Sequence, residues 1–236
     1  MPIYLILAAL LPSLILVGHI RFKDRKSPEP TKMLVKAFFF GMLSVVVSLF
    51  FSLPLQLYGA FPSEPVTVWD HFRVALLGAA VPEEAAKLLM LWLLLRRNPW
   101  FDEHVDGIVY AVCIGMGFAF VENIGYLASA GEYWVNAGIV RGLISVPGHY
   151  AFAVLMGFYY SYASFGTDGK RGLYRVLTFL APVLAHMAFD WILMVSDSME
   201  HQAVSSLLTL LFIIVFIRLQ KAGRRRIATH LSNDGI

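Results

Sequence analysis

The chain has 236 residues, 58% hydrophobic and only 15% charged, with a formal net charge of +3. A soluble domain carries roughly 25% charged residues, so this composition excludes a soluble enzyme or binding module. The single cysteine, Cys113, excludes an internal disulfide and a cysteine-based metal cluster.

A membrane-spanning helix needs about 20 mostly apolar residues. Seven windows qualify in chain order: 2–20, 35–58, 72–95, 105–128, 135–163, 173–195 and 203–219. The first has no basic residues before its apolar run. Its charges Arg21, Lys23, Arg25 and Lys26 come after it, so it reads as a retained span and not as a cleavable signal.

The connecting loops then alternate in sign. Loop 21–34 is basic, and 59–71 carries Glu64 and Asp70 without Lys or Arg. Arg96 and Arg97 follow the third span, and Glu132 alone follows the fourth. Lys170, Arg171 and Arg175 follow the fifth, Asp197 and Glu200 the sixth, and the tail from Arg218 is basic. The positive-inside rule places the N-terminus outside and the C-terminus in the cytoplasm. The expectation is one all-α, polytopic integral domain over 1–236, multi-pass in the cell membrane. Its partner is the lipid bilayer, with anionic headgroups meeting the basic tail and no nucleic acid.

Within these spans lie residues that a bilayer tolerates poorly. Glu83 and Glu84 interrupt the third window, Glu122 the fourth, His149 the fifth and His186 the sixth. A charge at the bilayer centre costs at least roughly 2.5–3.5 kcal/mol, so such residues read as an inward-facing functional site. At 1.5 Å rise per residue, Glu83, Glu84, His149 and His186 fall on the order of 15–18 Å below the outer boundary, and Glu122 and Asp190 on the order of 10 Å. Four independent spans thus deliver polar groups to one layer.

The neighbours add detail. His186 and Asp190 are i,i+4 and share a helix face, where an aspartate can orient an imidazole. Glu83 and Glu84 point about 100° apart, so one is expected to meet the reaction centre and the other to pair with Lys87. Asn123 and Arg141 are supporting candidates beside Glu122 and above His149. Pro82, Pro147 and Pro182 sit close to Glu83, His149 and His186, and helix breaks there suit a water-containing cavity. The Gly115-Met-Gly117 stretch suits close helix approach. His71, His104, His201 and His230 read as solvated, and Asp106 as a helix cap.

Glu83-Glu84-Ala-Ala-Lys87, Phe118-Ala-Phe-Val-Glu122-Asn123, His149 with Gly157 after it, and His186-Met-Ala-Phe-Asp190 form an ordered set. The set resembles the PrsW family of intramembrane proteases, related to CAAX prenyl proteases and bacteriocin-processing membrane enzymes. It covers roughly residues 70–195, the expected catalytic core. Glu122 stands where CAAX-type enzymes typically carry histidine, which favours the PrsW branch. The resemblance implies extracytoplasmic cleavage of a single-span, membrane-anchored anti-sigma factor in a stress response.

Two schemes fit the residues. In one, Glu122, His149 and His186 hold zinc and Glu83 or Glu84 is the general base. In the other there is no metal: Glu83 or Glu84 with His149 activates water, and His186 with Asp190 or Asn123 stabilises the oxyanion. No His-Glu-x-x-His stretch is present to decide between them. The competing classes are a proton- or ion-coupled transporter, a CAAX-type or bacteriocin-processing protease with another substrate, and a non-catalytic scaffold.

Overall fold

The computed structural model describes residues 2–199 and 202–235, and among these there is no strand. Helix α1 spans Ile3–Lys23 and α2 spans Thr31–Leu57. A third rod is built from α3 (Val68–Arg73), a π-helical segment (Val74–Ala80) and α4 (Val81–Leu95). Then come α5 (His104–Ser129) and a rod made of a short 3₁₀ turn, α6 (Trp134–Val140), a second π-helical segment (Arg141–Ser145) and α7 (Val146–Phe165). Helices α8 (Arg171–Ser198) and α9 (Gln202–Asn233) complete the bundle. Each of the seven sequence windows lands on one rod. Six rods are apolar enough over 18 residues to cross a membrane. The remaining one, 68–95, carries Glu83, Glu84 and Lys87 in its middle.

Both π-helical segments end just before a proline, at Pro82 and Pro147. A proline lacks the N–H and its ring crowds the carbonyl one turn back, and a widened turn relieves that crowding. The breaks expected beside Glu83 and His149 are therefore present as π turns. Pro182 behaves differently, because α8 runs through it as a single helix.

Helix α5 is the axis of the bundle. Its apolar window is 89% buried, and it packs chiefly against α7, α2 and α1. Small residues make that possible. A side chain on Gly117 would overlap the backbone of Phe38 in α2, and one on Gly115 would press on Ala153 of α7. The outer faces of α1, α2 and α9 are apolar and exposed, with Leu11, Phe39, Phe50 and Leu207 among them, as lipid contact demands.

Three expectations change here. Helix α9 continues to Asn233, so the basic segment from Arg218 is helix and not a loose tail. Its Arg226 guanidinium lies 5.4 Å from the centre of the Phe158 ring. His230 is buried, because α9 packs it on Phe158 at 4.4 Å between ring centres, with Nε2 3.1 Å from the Phe158 carbonyl. His71 is also buried, its Nδ1 2.9 Å from the Thr67 carbonyl one turn earlier. His104 contacts Asp234, while Glu200 and His201 lie outside the described residues. Asp106 is a cap: its Oδ2 accepts from the N–H groups of Asp102 and Glu103 at 3.1 and 2.7 Å. Near it, in the α1–α2 connection, burial and the Asp106 carboxylate push the Asp24 carboxyl up to about 7.

Replacing Gly117 by leucine forces α5 away from α2, at a cost of about 1–3 kcal/mol or more. The expected outcome is a lower melting temperature of the purified protein in detergent. Gly125→Leu, at a position with open space around it, is expected to melt like the unmodified chain.

Candidate active site

The widened turn before Pro82 sets the face that α4 presents to the bundle. Glu84 is fully buried, and Glu83 lines a cavity of about 100 Å³ together with Glu122, Arg141, His149, His186 and Asp190. Lys87, one turn on, does not choose between the two acids. Its Nζ donates to Glu84 Oε1 at 2.8 Å and to Glu83 Oε2 at 3.2 Å. It also lies 3.3 Å from His149 Nδ1 and 3.9 Å from the centre of the Phe118 ring. The expectation that Lys87 neutralises only one acid therefore gives way to a shared ammonium. What separates the acids is access: Glu83 borders the cavity and Glu84 does not.

Helix α8 brings His186. Its Nδ1 donates to Glu84 Oε1 at 3.0 Å, while Nε2 lies 3.2 Å from Asp190 Oδ2 and 3.9 Å from Glu83 Oε2. A proton or a metal on Nε2 is what makes two facing carboxylates attractive there. Helix α7 brings His149, whose Nε2 donates to Glu122 Oε2 at 2.9 Å. From the π-helical segment before α7, Arg141 donates through Nη2 to the same Glu122 oxygen at 2.7 Å and through Nε to Asn123 Oδ1 at 2.6 Å. All the residues singled out from sequence thus meet in one connected network.

One grouping differs from expectation. Glu122 is engaged by Arg141 and His149. The carboxylate that offers an oxygen within 4.8 Å of a nitrogen from both imidazoles is that of Glu83. Two histidines and a glutamate are a donor set that suits zinc. Glu84 on His186 Nδ1 and Glu122 on His149 Nε2 stand where outer carboxylates would orient such ligands. Charge points the same way. Four carboxylates (Glu83, Glu84, Glu122, Asp190) surround two fixed cations, Lys87 and Arg141, and a divalent ion would offset the remainder. The nitrogen of His149 nearer α4 is shared with Lys87, so a metal bound there would displace that contact.

Apart from Phe118, which opens the motif ending in Glu122-Asn123, the aromatic walls are not singled out by the sequence. Phe152 stacks on His186 at 4.6 Å and 18°, Phe118 tilts against His149, and Tyr126 lies under the Arg141 guanidinium at 3.7 Å. Helical spacing was the available signal: Phe152 is three residues after His149, and Phe118 and Tyr126 lie four residues either side of Glu122. Larger clefts of about 650 and 420 Å³ open elsewhere between helices, but neither brings acids and imidazoles together.

Residues 29–219 match the model of a family described as PrsW family intramembrane metalloprotease. Among curated relatives, Protease PrsW of Clostridioides difficile (strain 630) is 38% identical over 198 residues, 83% of this chain and 81% of that protein. Protease PrsW of Geobacillus kaustophilus (strain HTA426) is 34% identical over 82% of this chain and 81% of its own length. Protease PrsW of Bacillus subtilis (strain 168) is 34% identical over 80% of this chain and 82% of its own length. No solved structure matches the chain. With the family match spanning most of the bundle and all four site helices, the chain belongs to the PrsW family of intramembrane metalloproteases, as a multi-pass membrane protease.

Proposed function

We propose that the protein cuts a single-span membrane protein in the cavity between α4, α5, α7 and α8, with Glu83 as the carboxylate that handles the attacking water. The observation that carries this is the approach of Glu83, His149 and His186 to within 4.8 Å of one another beside a small cavity inside an apolar bundle. Charge is costly to hold at that depth, so a cluster of acids and imidazoles around one cavity supports a functional site there.

His149, His186 and Glu83 would hold a zinc ion, whose contribution is to acidify a bound water and polarise the scissile carbonyl. The chain's own groups do the rest. Glu83 Oε2 faces Lys87 and His186, while Oε1 has no hydrogen-bond partner among the described residues. That free oxygen accepts the proton of the attacking water and returns it to the leaving amine. Glu84 holds Lys87 and the His186 ring in place and touches no reacting atom. Arg141, anchored by Glu122 and Asn123 and stacked on Tyr126, brings a guanidinium to the cavity wall. There it stabilises the oxyanion of the tetrahedral intermediate.

A membrane-anchored anti-sigma factor cut on its extracytoplasmic side is the substrate we infer. The support is the ordered set of motifs, the outer-half depth of the site and the alternation of loop charge.

Cleavage of such a substrate in reconstituted vesicles is expected to fall roughly 10²–10⁴-fold in Glu83→Gln, with the melting temperature kept. Glu84→Gln is expected to lose both activity and stability, because it strips a buried partner from Lys87 and His186. Wild-type activity in Glu83→Gln would sink the assignment. His149→Ala and His186→Ala are expected to lose zinc measured by elemental analysis together with cleavage, and Glu83→Gln, which weakens the third ligand, to bind it less tightly. A fully active, zinc-free preparation would exclude the metal and leave the carboxylate–histidine scheme. Tyr126→Ala removes a contact worth about 1–2 kcal/mol and is expected to cut kcat/KM by about tenfold, with Tyr126→Phe close to normal.

A further inference from the structure

A second group of acids lies at the opposite end of α5. Asp24 closes α1, Glu29 sits in the α1–α2 connection, Asp102 and Glu103 precede α5, and Asp106 lies in its first turn. One oxygen each from Asp24, Glu103 and Asp106 lies within 4.8 Å of the other two, and Glu29, Asp102 and Asp106 form an overlapping set. Asp106 and Glu122 are 16 residues apart on one helix, about 24 Å at 1.5 Å per residue, so this group is separate from the protease site.

Acid clusters are common on protein surfaces. This one differs in that three of its five acids are buried and the group is incompletely bonded. Asp24 and Asp106 are 0% and 1% exposed, and Glu29 is 6% exposed. Part of their bonding capacity is used: Asp24 Oδ2 accepts from the Glu29 N–H at 3.4 Å, Asp106 Oδ2 from two N–H groups, and the Glu103 carboxylate from the Asp106 N–H in a capping box. Glu29 accepts from the Tyr110 hydroxyl, and the Glu29 and Asp106 carboxyl groups are close enough to share a hydrogen bond. Asp24 Oδ1, Glu103 Oε2 and Asp106 Oδ1 are left buried with no partner. Among the described residues, no Lys, Arg or His forms an ion pair with any of the five acids. Arg21, Lys23, Arg25 and Lys26 are next door in sequence, yet all four are exposed, and Arg21 donates to Thr31 Oγ1 at 3.0 Å. Buried carboxylates without a cation are costly, and the remedy is either a shared proton or a bound metal.

We propose that Asp24, Glu103 and Asp106, with Glu29 and Asp102 alongside, form a binding site for a hard divalent cation of the Mg²⁺ or Ca²⁺ class. All-oxygen carboxylate ligands select such ions over zinc, which suits the nitrogen-containing set at the other end of α5. Three unpartnered oxygens from three chain positions give it its inner ligands, and water completes the shell. Asp102 is exposed and opens the cluster to solvent. A cation held here pins the α1–α2 and α4–α5 connections to the start of the central helix.

The test uses the purified full chain in detergent, with Mn²⁺ as the paramagnetic probe and Mg²⁺ for thermal melting. His186→Ala, which removes a ligand of the protease site, is expected to bind about one Mn²⁺ by electron paramagnetic resonance and to melt several degrees higher in millimolar Mg²⁺ than in chelator. Asp24→Asn and Glu103→Gln in that background are expected to lose both effects. These two lie at the ends of the connections, so they serve where Asp106→Asn fails to fold. Three results would overturn the proposal: no Mn²⁺ bound to His186→Ala at millimolar concentration, binding undiminished in Asp24→Asn and Glu103→Gln, or an infrared band of a protonated carboxyl that persists in Mg²⁺ and vanishes in Asp24→Asn. The last would mark a shared proton in place of a metal.

Discussion

The buried ammonium of Lys87 is the interaction on which the rest depends. Two adjacent carboxylates inside an apolar bundle repel each other, and the fully buried Glu84 has no access to solvent. Lys87, itself 3% exposed, satisfies both and also reaches His149. Removing Lys87 or the fully buried Glu84 costs about 3–5 kcal/mol, because the survivors stay desolvated and unpaired, whereas Glu83 borders the cavity. The same contacts hold the bundle together. Lipid tails are as apolar as the side chains facing them, so helices in a membrane gain little from hydrophobic burial against one another. Polar contacts and close packing must supply the adhesion. Lys87 joins α4 to α7, Glu84 joins α4 to α8 through His186, and Glu122 joins α5 to α7 through His149. The active site and the packing of its four helices are one structure.

This has a consequence for how the chemistry is divided. A residue that both staples helices and reacts would have to break a structural contact in every turnover. In the proposed mechanism the two roles fall to neighbours. Glu84, fully buried, keeps Lys87 and the His186 ring fixed. Glu83, one residue earlier and about 100° round the helix, borders the cavity with an oxygen to spare. Glu122 and Asn123 repeat the pattern on α5, where both anchor Arg141.

Most of this was legible in the sequence, and the limits have physical causes. Hydropathy and loop charge located seven rods, because a bilayer enforces long apolar helices. The site residues stood out because charge in a membrane is expensive. Residues that are cheap to bury gave no such signal. Phe118, Phe152 and Tyr126 line the site, yet a membrane chain is full of aromatics. Partner choice was also hidden: i,i+3 and i,i+4 spacing allowed Lys87 either acid, and only the packing of α7 and α8 against α4 shows it taking both. The histidines outside the site misled for the opposite reason. Its sequence position makes His230 read as solvated, but α9 runs on and lays it against Phe158.

The two prolines show how a local rule becomes a functional geometry. A regular helix through residues 74–84 would fix the direction of Glu83 and Glu84 by the 100° step alone. The π-helical segment Val74–Ala80 adds a residue to the turn and rotates everything beyond it. The segment Arg141–Ser145 does the same ahead of His149. Each rod therefore presents one face to its neighbours before the break and another after it. Outside the break it can follow the packing of the bundle; inside, it can aim a carboxylate or an imidazole at a common centre. Arg141 lies within the second segment, so the group proposed to meet the oxyanion sits on backbone already departing from regular helix. Proline supplies the cause of the departure, since the widened turn relieves the crowding its ring imposes. That a proline stands just after both segments, with Glu83 and His149 one and two residues further on, ties the placement of these candidate groups to a covalent feature of the chain.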